Sequence, residues 1–245
     1  RPPGKNYADR LFRMLGAKEV TSVDFSDYDE ASLIHDLNLP FPAAHREHYD
    51  LVFDGGTLEH LFNFPAALSH CMEAVSIGGH FILQTPTNNF SGHGFYQFSP
   101  ELFYRALSPE NGFRILRMVA CELVDGSAWF DVADPATVGT RVEIASGAQR
   151  VSLLILAQRT HAGPIFSKSP QQSDYTLVWT DSGSGAPTSR GVLKRACNAW
   201  KDRRFGHAML RYAAERVGLT RLAQRHATRH LTLGGQPSVF RRTQE

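Results

Sequence analysis

Hydrophobic and polar positions switch between helical and strand periods along the first two thirds of the chain. Leu11, Phe12 and Leu15 share one face of a predicted helix over Tyr7–Leu15, with Gly16 placed to end it. Val20-Thr21-Ser22-Val23-Asp24-Phe25 is a β-branched run that predicts a short strand, and Ser32–Asp36 predicts a weaker one. Leu39-Pro40-Phe41-Pro42 interrupts what precedes it. Tyr49–Phe53 then predicts a buried strand, closed by Asp54-Gly55-Gly56. Pro65–Val75 has the spacing of a helix, with Ala66, Leu68, Cys71, Met72 and Val75 facing inward. Gly78-Gly79 is expected to stop that helix, and after His80 the run Phe81-Ile82-Leu83-Gln84 returns to strand.

Ser99 and Pro100 form a start signal, N-cap followed by proline at the first helical position, for a helix over Pro100–Leu107. Phe113–Val119 and Val151–Leu156 predict two further strands, with Asp125–Ala148 as an irregular insertion between them. Strands alternating with helices at this pace predict an α/β domain over residues 1–160 built on a parallel-rich sheet with helices on both faces. A Pro/Ser/Gly-rich stretch, Gly163–Ser189, predicts a linker over residues 161–190. Val192–Val217 and Arg221–Leu231 read as amphipathic basic helices, a tail over residues 191–245.

Charge sharpens that division. Residues 1–189 carry 13 Lys/Arg against 21 Asp/Glu, a net of −8; residues 190–245 carry 13 against 3, a net of +10. Such a tail suits packing on its own acidic body or in a dimer, with docking on an anionic membrane or a phosphate-bearing lipid-linked acceptor as the other reading. No window has the ~18 uninterrupted apolar residues of a membrane span. Cys71, Cys121 and Cys197 are odd in number and widely spaced, which fits a reducing cytoplasm and gives no disulfide or zinc framework. His45/His48 and His226/His230 stand in polar stretches without a Cys or carboxylate set, so no metal is expected. Arg1-Pro2-Pro3-Gly4-Lys5 is neither an initiator methionine nor a signal peptide, and the chain is expected to begin partway into a longer product.

Ligands of doubly wound sheets bind outside the carboxyl ends of the strands. Asp24 follows one predicted strand, where a carboxylate can accept both hydroxyls of a ribose; Asp36 follows the next, where it could accept from an adenine amino group. Asp54-Gly55-Gly56-Thr57 follows the strand Tyr49–Phe53, and Gln84-Thr85-Pro86 follows Phe81–Leu83. Each has a plainer reading, Asp24 and Asp36 as turn caps, the glycines as a tight bend, and His60 as a half-buried structural histidine.

The order of these elements carries a resemblance. Tyr49-Asp50-Leu51-Val52-Phe53-Asp54 with Leu58-Glu59-His60 resembles the fourth-strand motif of class I S-adenosylmethionine-dependent methyltransferases, in a subgroup with a Gly-Gly-Thr-Leu-Glu-His stretch. Pro65–Val75, Ile77-Gly78-Gly79 and Phe81–Pro86 resemble the helix, double-glycine turn and strand that follow, and Val20–Asp24 the second strand with its ribose-binding acid. Ser99-Pro100-Glu101-Leu102 and Gly112-Phe113 extend the likeness, which covers about residues 7–158. The resemblance implies a Rossmann-like, doubly wound, mostly parallel sheet lacking its first strand in this chain. Where the glycine-rich cofactor turn should stand, the chain has only Gly4-Lys5-Asn6-Tyr7, so that either the first strand and its turn lie before Arg1 or this subgroup uses a different loop.

The resemblance further implies S-adenosylmethionine as cofactor, lined by Asp24, Asp36, Asp54, Gly55, Gly56 and Glu59, and methyl transfer to a small-molecule or glycan-type acceptor, with oxygen the expected nucleophile. A base for such an acceptor needs a pKa near working pH, which favours histidine. His60 and His93 are the candidates, and an orienting or structural role is the alternative for each. His93 belongs to Asn88-Asn89-Phe90-Ser91-Gly92-His93-Gly94-Phe95-Tyr96-Gln97, whose Asn88, Tyr96 and Gln97 are expected to touch the acceptor. Trp129, Phe130, Asp131 and Arg141 form either a lid or a packed surface hairpin.

Three rival classes remain in view. A dinucleotide-dependent oxidoreductase would leave Leu58-Glu59-His60 unexplained and would need a glycine fingerprint that the sequence lacks. A nucleic-acid methyltransferase finds support only in the basic tail, since neither an Asn/Asp-Pro-Pro-Tyr stretch nor a stacking row of aromatics is present. A non-catalytic methyltransferase-fold scaffold in a biosynthetic complex is the principal alternative to an enzyme.

Overall fold

The computed structural model describes residues 8–176 and 240–242. The expected tail helices and the Gly4–Tyr7 segment lie outside the described residues. The described part is an α/β fold with few helices and a mixed sheet. Its strands are β1 (Val23–Asp24), β2 (Leu33–Ile34), β3 (Tyr49–Asp54), β4 (Val75–Asn88), β5 (Phe113–Glu122), β6 (Trp129–Val132), β7 (Val151–Arg159) and β8 (Phe240–Arg242). The helices are α1 (Asp9–Met14), α2 (Phe64–Ala74), α3 (Pro100–Ala106) and α4 (Pro135–Val138).

β1 and β2 form a separate parallel pair, while the larger sheet runs β3-β4-β7-β5-β6-β8. Only β3 and β4 are parallel within it; the other four ladders are antiparallel. The expectation of a mostly parallel sheet is therefore corrected. The reason lies in the connection from β5 to β7, for Glu122 pairs with Val151 and Phe113 with Arg159. The insertion leaves and re-enters the sheet at one end, so no crossover helix is needed and the strands must oppose one another. Part of the insertion itself is regular. Cys121 pairs with Trp129 and Val119 with Asp131, which makes Trp129–Val132 a surface hairpin rather than a lid, and Arg141 bonds Asp174 instead of any cleft.

The core lies where β4, β7 and β5 meet α2 and α3. β7 sits between two neighbours, and Val151, Leu153, Ile155 and Ala157 are fully buried on it. Leu68 and Met72, four residues apart, bury the inner face of α2. Each such side chain contributes roughly 1.5–3 kcal/mol through removal from water. Ser99 caps α3 as expected, its hydroxyl accepting from the Leu102 N–H.

Four local expectations are corrected. The double glycine does not end α2, which stops at Ala74; β4 begins at once, and Ser76–Gly79 form an irregularity between the Tyr49–Val75 and Leu51–His80 pairs. β3 is not buried, because it is an edge strand with Leu51 40% and Phe53 44% exposed. β1 and β2 are two residues long each, shorter than the apolar runs around them. α1 leaves Leu11 and Leu15 exposed and packs through Phe12, whose ring meets Phe53 edge-on at 5.5 Å.

Candidate functional site

The parallel strands β3 and β4 run in the same direction, and the segments beyond their carboxyl ends converge. β3 ends in Asp54, a 5% exposed carboxylate whose Oδ1 accepts the Thr57 N–H at 2.8 Å. That bond closes the turn Asp54–Thr57, with Gly56 at φ +113°, a left-handed conformation that side chains disfavour. A Cβ there would also stand 3.1 Å from the Glu59 carboxylate. The turn leads into one helical turn over Leu58–His60, which buries Leu58 and Glu59 and leaves His60 exposed.

Glu59 is 2% exposed, and its Oε2 has no hydrogen-bond partner; neither has Oδ2 of Asp54. Burial pushes the pKa of both carboxyls up from their ordinary values, and the Asp54 charge adds to the rise at Glu59.

The loop after β4 is strapped across this turn. Phe95 and Tyr96 donate their backbone N–H groups to the Glu59 carbonyl at 2.7 and 3.2 Å, and the Tyr96 hydroxyl donates to the Phe62 carbonyl at 2.8 Å. Gly94, at φ +74°, permits the approach, since a Cβ would lie 2.7 Å from the Glu59 carbonyl oxygen. The strap brings His93 Nε2 to 3.6 Å from Glu59 Oε1 and sets the His93 ring edge-on to His60, centroids 4.8 Å apart. Glu59, His60 and His93 thus form one cluster, with ligand-capable atoms all within 4.8 Å of one another. Both histidines face solvent and the carboxylate lies beneath them.

The other expected residues have structural partners. Asn88 donates to the Ile144 carbonyl at 3.1 Å, tying the loop to the insertion. Asn89, at φ +62°, does the same toward Ser146, Gly147 and Gln149. Gln97 Oε1 accepts from the Phe90 N–H at 2.6 Å, closing the loop on itself, and the Tyr96 ring packs on Phe64 and Phe98. These side chains frame the loop that carries His93.

Asp24 ends β1 and is exposed; its Oδ1 accepts from the Ser26 N–H at 2.8 Å. Asp36 accepts from the Asn38 N–H and side-chain amide at 2.9 and 2.7 Å, bonds that hold its carboxyl below its ordinary pKa. Asn38 in turn accepts from the Asn63 N–H at 3.0 Å, linking the end of β2 to the start of α2. Asp24 and Asp36 each hold the turn after a parallel strand. Gly55 sits beside the Phe53 ring, at 2.9 Å from where its Cβ would be.

No family model matches the chain, and no curated protein matches it. An open groove of about 470 Å³, lined by Gln84, Cys121, Glu122, Asp125 and Trp129 among others, shares no residue with the cluster. Chemistry rather than concavity marks the Glu59–His60–His93 site. Sequence reasoning placed Glu59 with the cofactor and missed its contact with His93, 34 positions away. The signal available was His93 between two glycines, a loop able to approach another backbone closely. Among the described residues, no helix is long and apolar enough to cross a membrane.

Proposed function

We propose that the chain is an S-adenosylmethionine-dependent methyltransferase with a Rossmann-like domain, acting at oxygen on a small-molecule or glycan-type acceptor. One observation carries the reading: two buried carboxylates and a pair of exposed histidines converge just past the carboxyl ends of adjacent parallel strands. The motif resemblance at Leu58-Glu59-His60 and the acids after β1 and β2 support it.

Bound S-adenosylmethionine would supply an electrophilic methyl group on a sulfonium sulfur, next to which buried negative charge is favourable. Asp24 and Asp36 are assigned to the adenosine end, and Asp54 with Gly55 and Gly56 to the inner wall. Asp54 Oδ2 is buried there without a partner, and a nearby positive charge would offset that cost. Glu59 beside His93 Nε2 favours the tautomer with its proton on that nitrogen, leaving Nδ1 to take the acceptor's proton. His60 flanks the same opening. Asn88, Tyr96 and Gln97 act by holding the loop in place. Cys71 and Cys121 are free thiols, in keeping with the proposed cytoplasmic setting.

The test is transfer of labelled methyl from S-adenosylmethionine to a panel of sugar, nucleotide-sugar and phenolic hydroxyls. His93→Ala is expected to lower turnover far more than cofactor affinity. Equal loss of both, or of neither, refutes the base assignment. For the +10 segment over residues 190–245, vesicle co-sedimentation separates the two readings. Binding only to anionic vesicles favours a phosphate-bearing surface, and none at low salt favours packing on its own chain or in a dimer.

A further inference from the structure

We propose that Glu59, His60 and His93 bind a divalent transition-metal cation at an open, three-ligand site. The inference goes beyond methyl transfer and does not depend on it.

Two imidazoles and one carboxylate are a donor set that suits zinc, cobalt or iron(II) rather than magnesium or calcium, which prefer all-oxygen shells. Three protein ligands with a vacant position are the pattern of reactive zinc sites, whereas structural ones take four. The arrangement has a built floor. Glu59 is 2% exposed and its Oε2 has no partner, so a buried carboxylate oxygen is left uncompensated beneath two solvent-facing rings. A protonated His93 meets only Oε1, and at 3.6 Å. A cation beside this carboxylate would offset the cost of burying its charge.

The distances allow it. Around a tetrahedral ion with bonds of about 2.0–2.1 Å, ligand atoms stand roughly 3.3–3.5 Å apart. Here they lie within 4.8 Å, with the Glu59–His93 pair already at 3.6 Å. Closing the rest takes rotation of two exposed rings, because the backbone is fixed: the Glu59 carbonyl accepts from both Phe95 and Tyr96. The buried carboxylate would form the inner ligand and the imidazoles the sides, leaving the solvent side open to an oxygen of an incoming acceptor. Metal and base uses of His93 compete for one ring, since metal binding displaces the proton on Nε2.

The test is titration of the chelator-treated full chain with Co²⁺, without S-adenosylmethionine, followed by visible d–d absorption and by competition with Zn²⁺. The expected result is one saturable site with bands stronger than those of the hydrated ion, abolished by zinc. Glu59→Gln, His60→Ala and His93→Ala should each weaken cobalt binding at least about tenfold. Circular dichroism checks that each remains folded, and the exposed histidine variants stand in if Glu59→Gln does not. His45→Ala/His48→Ala and His226→Ala/His230→Ala should bind as the parent does. Weak bands in the parent chain, retention in His93→Ala and His60→Ala, or loss in either control pair overturns the proposal. Because cofactor is absent, a negative outcome here leaves the methyl-transfer reading to its own test.

Discussion

Gly94→Ala should uncouple the His93 loop from the turn it covers. At φ +74° an alanine occupies the left-handed region, at a cost of about 1–2 kcal/mol. Its Cβ would also stand 2.7 Å from the Glu59 carbonyl oxygen and 3.1 Å from the carbonyl carbon, backbone atoms that cannot swing aside. Relief requires the strap to lift, giving up the Phe95 and Tyr96 N–H bonds to that carbonyl at about 1 kcal/mol each. The total is about 3–4 kcal/mol. Gly92 is an internal control, for it lies two residues away with a non-left-handed φ and open space around it. Gly92→Ala should therefore change stability by less than about 0.5 kcal/mol. Urea unfolding of the full chain, read as the shift in midpoint at constant slope, measures both. Equal effects at the two glycines, or a Gly94→Ala loss below about 0.5 kcal/mol, would refute the strap as the element that positions His93.

Glu59→Gln should change the pH dependence of stability in a defined direction. Burial raises the folded pKa above the ordinary 4.5, so between the two values the folded state holds more proton and wild-type stability falls as pH rises. The glutamine variant escapes that loss, and its melting temperature relative to wild type should increase from pH 4 to pH 7.5; a constant or decreasing difference contradicts the argument. Arg159, 3% exposed, donates to the Glu73 and Val75 carbonyls at 3.0 and 2.6 Å and to Glu47 at 2.8 Å. Arg159→Met removes its bonds to both carbonyls, of which Glu73 keeps the Glu47 N–H at 2.7 Å, and should cost about 1–3 kcal/mol. Glu47→Gln, at a half-exposed position, should cost under about 1 kcal/mol. Similar losses in the two variants would show that the ion pair, and not the carbonyl cap, matters.

Most elements of the body were legible as apolar runs, because burial of β4, β5, β7, α2 and α3 imposes its period on the residues that form them. Direction was not. Nothing in the pattern of Val151–Leu156 distinguishes a parallel from an antiparallel neighbour; the choice follows from where the insertion before it begins and ends. Exposure was misjudged at Leu51 and Phe53, since an apolar strand reads alike at the centre of a sheet and at its edge. The double glycine looked like a helix stop because glycine also serves irregular strands, and the Tyr49–Val75 pair decides for the latter.

At the site, Asp54 and Glu59 were legible by their place after a strand, whereas their burial and their unpartnered oxygens were not. Burial and unpartnered oxygens depend on what folds over them, here a loop more than thirty residues away. The amide side chains of Asn88 and Gln97 looked like acceptor contacts because polar loop residues serve equally to bind a ligand and to brace a loop. Their bonds to Ile144 and Phe90 show the bracing.

Calorimetric titration of the full chain with S-adenosylmethionine tests the central claim most directly. The expected result is saturable one-to-one binding, weakened roughly 10-fold or more in Asp24→Ala, as for loss of a charged hydrogen bond worth about 1.5–3 kcal/mol. Absence of heat and of competition by S-adenosylhomocysteine across the accessible concentration range, with the chain folded, would contradict the methyltransferase reading and favour the non-catalytic scaffold.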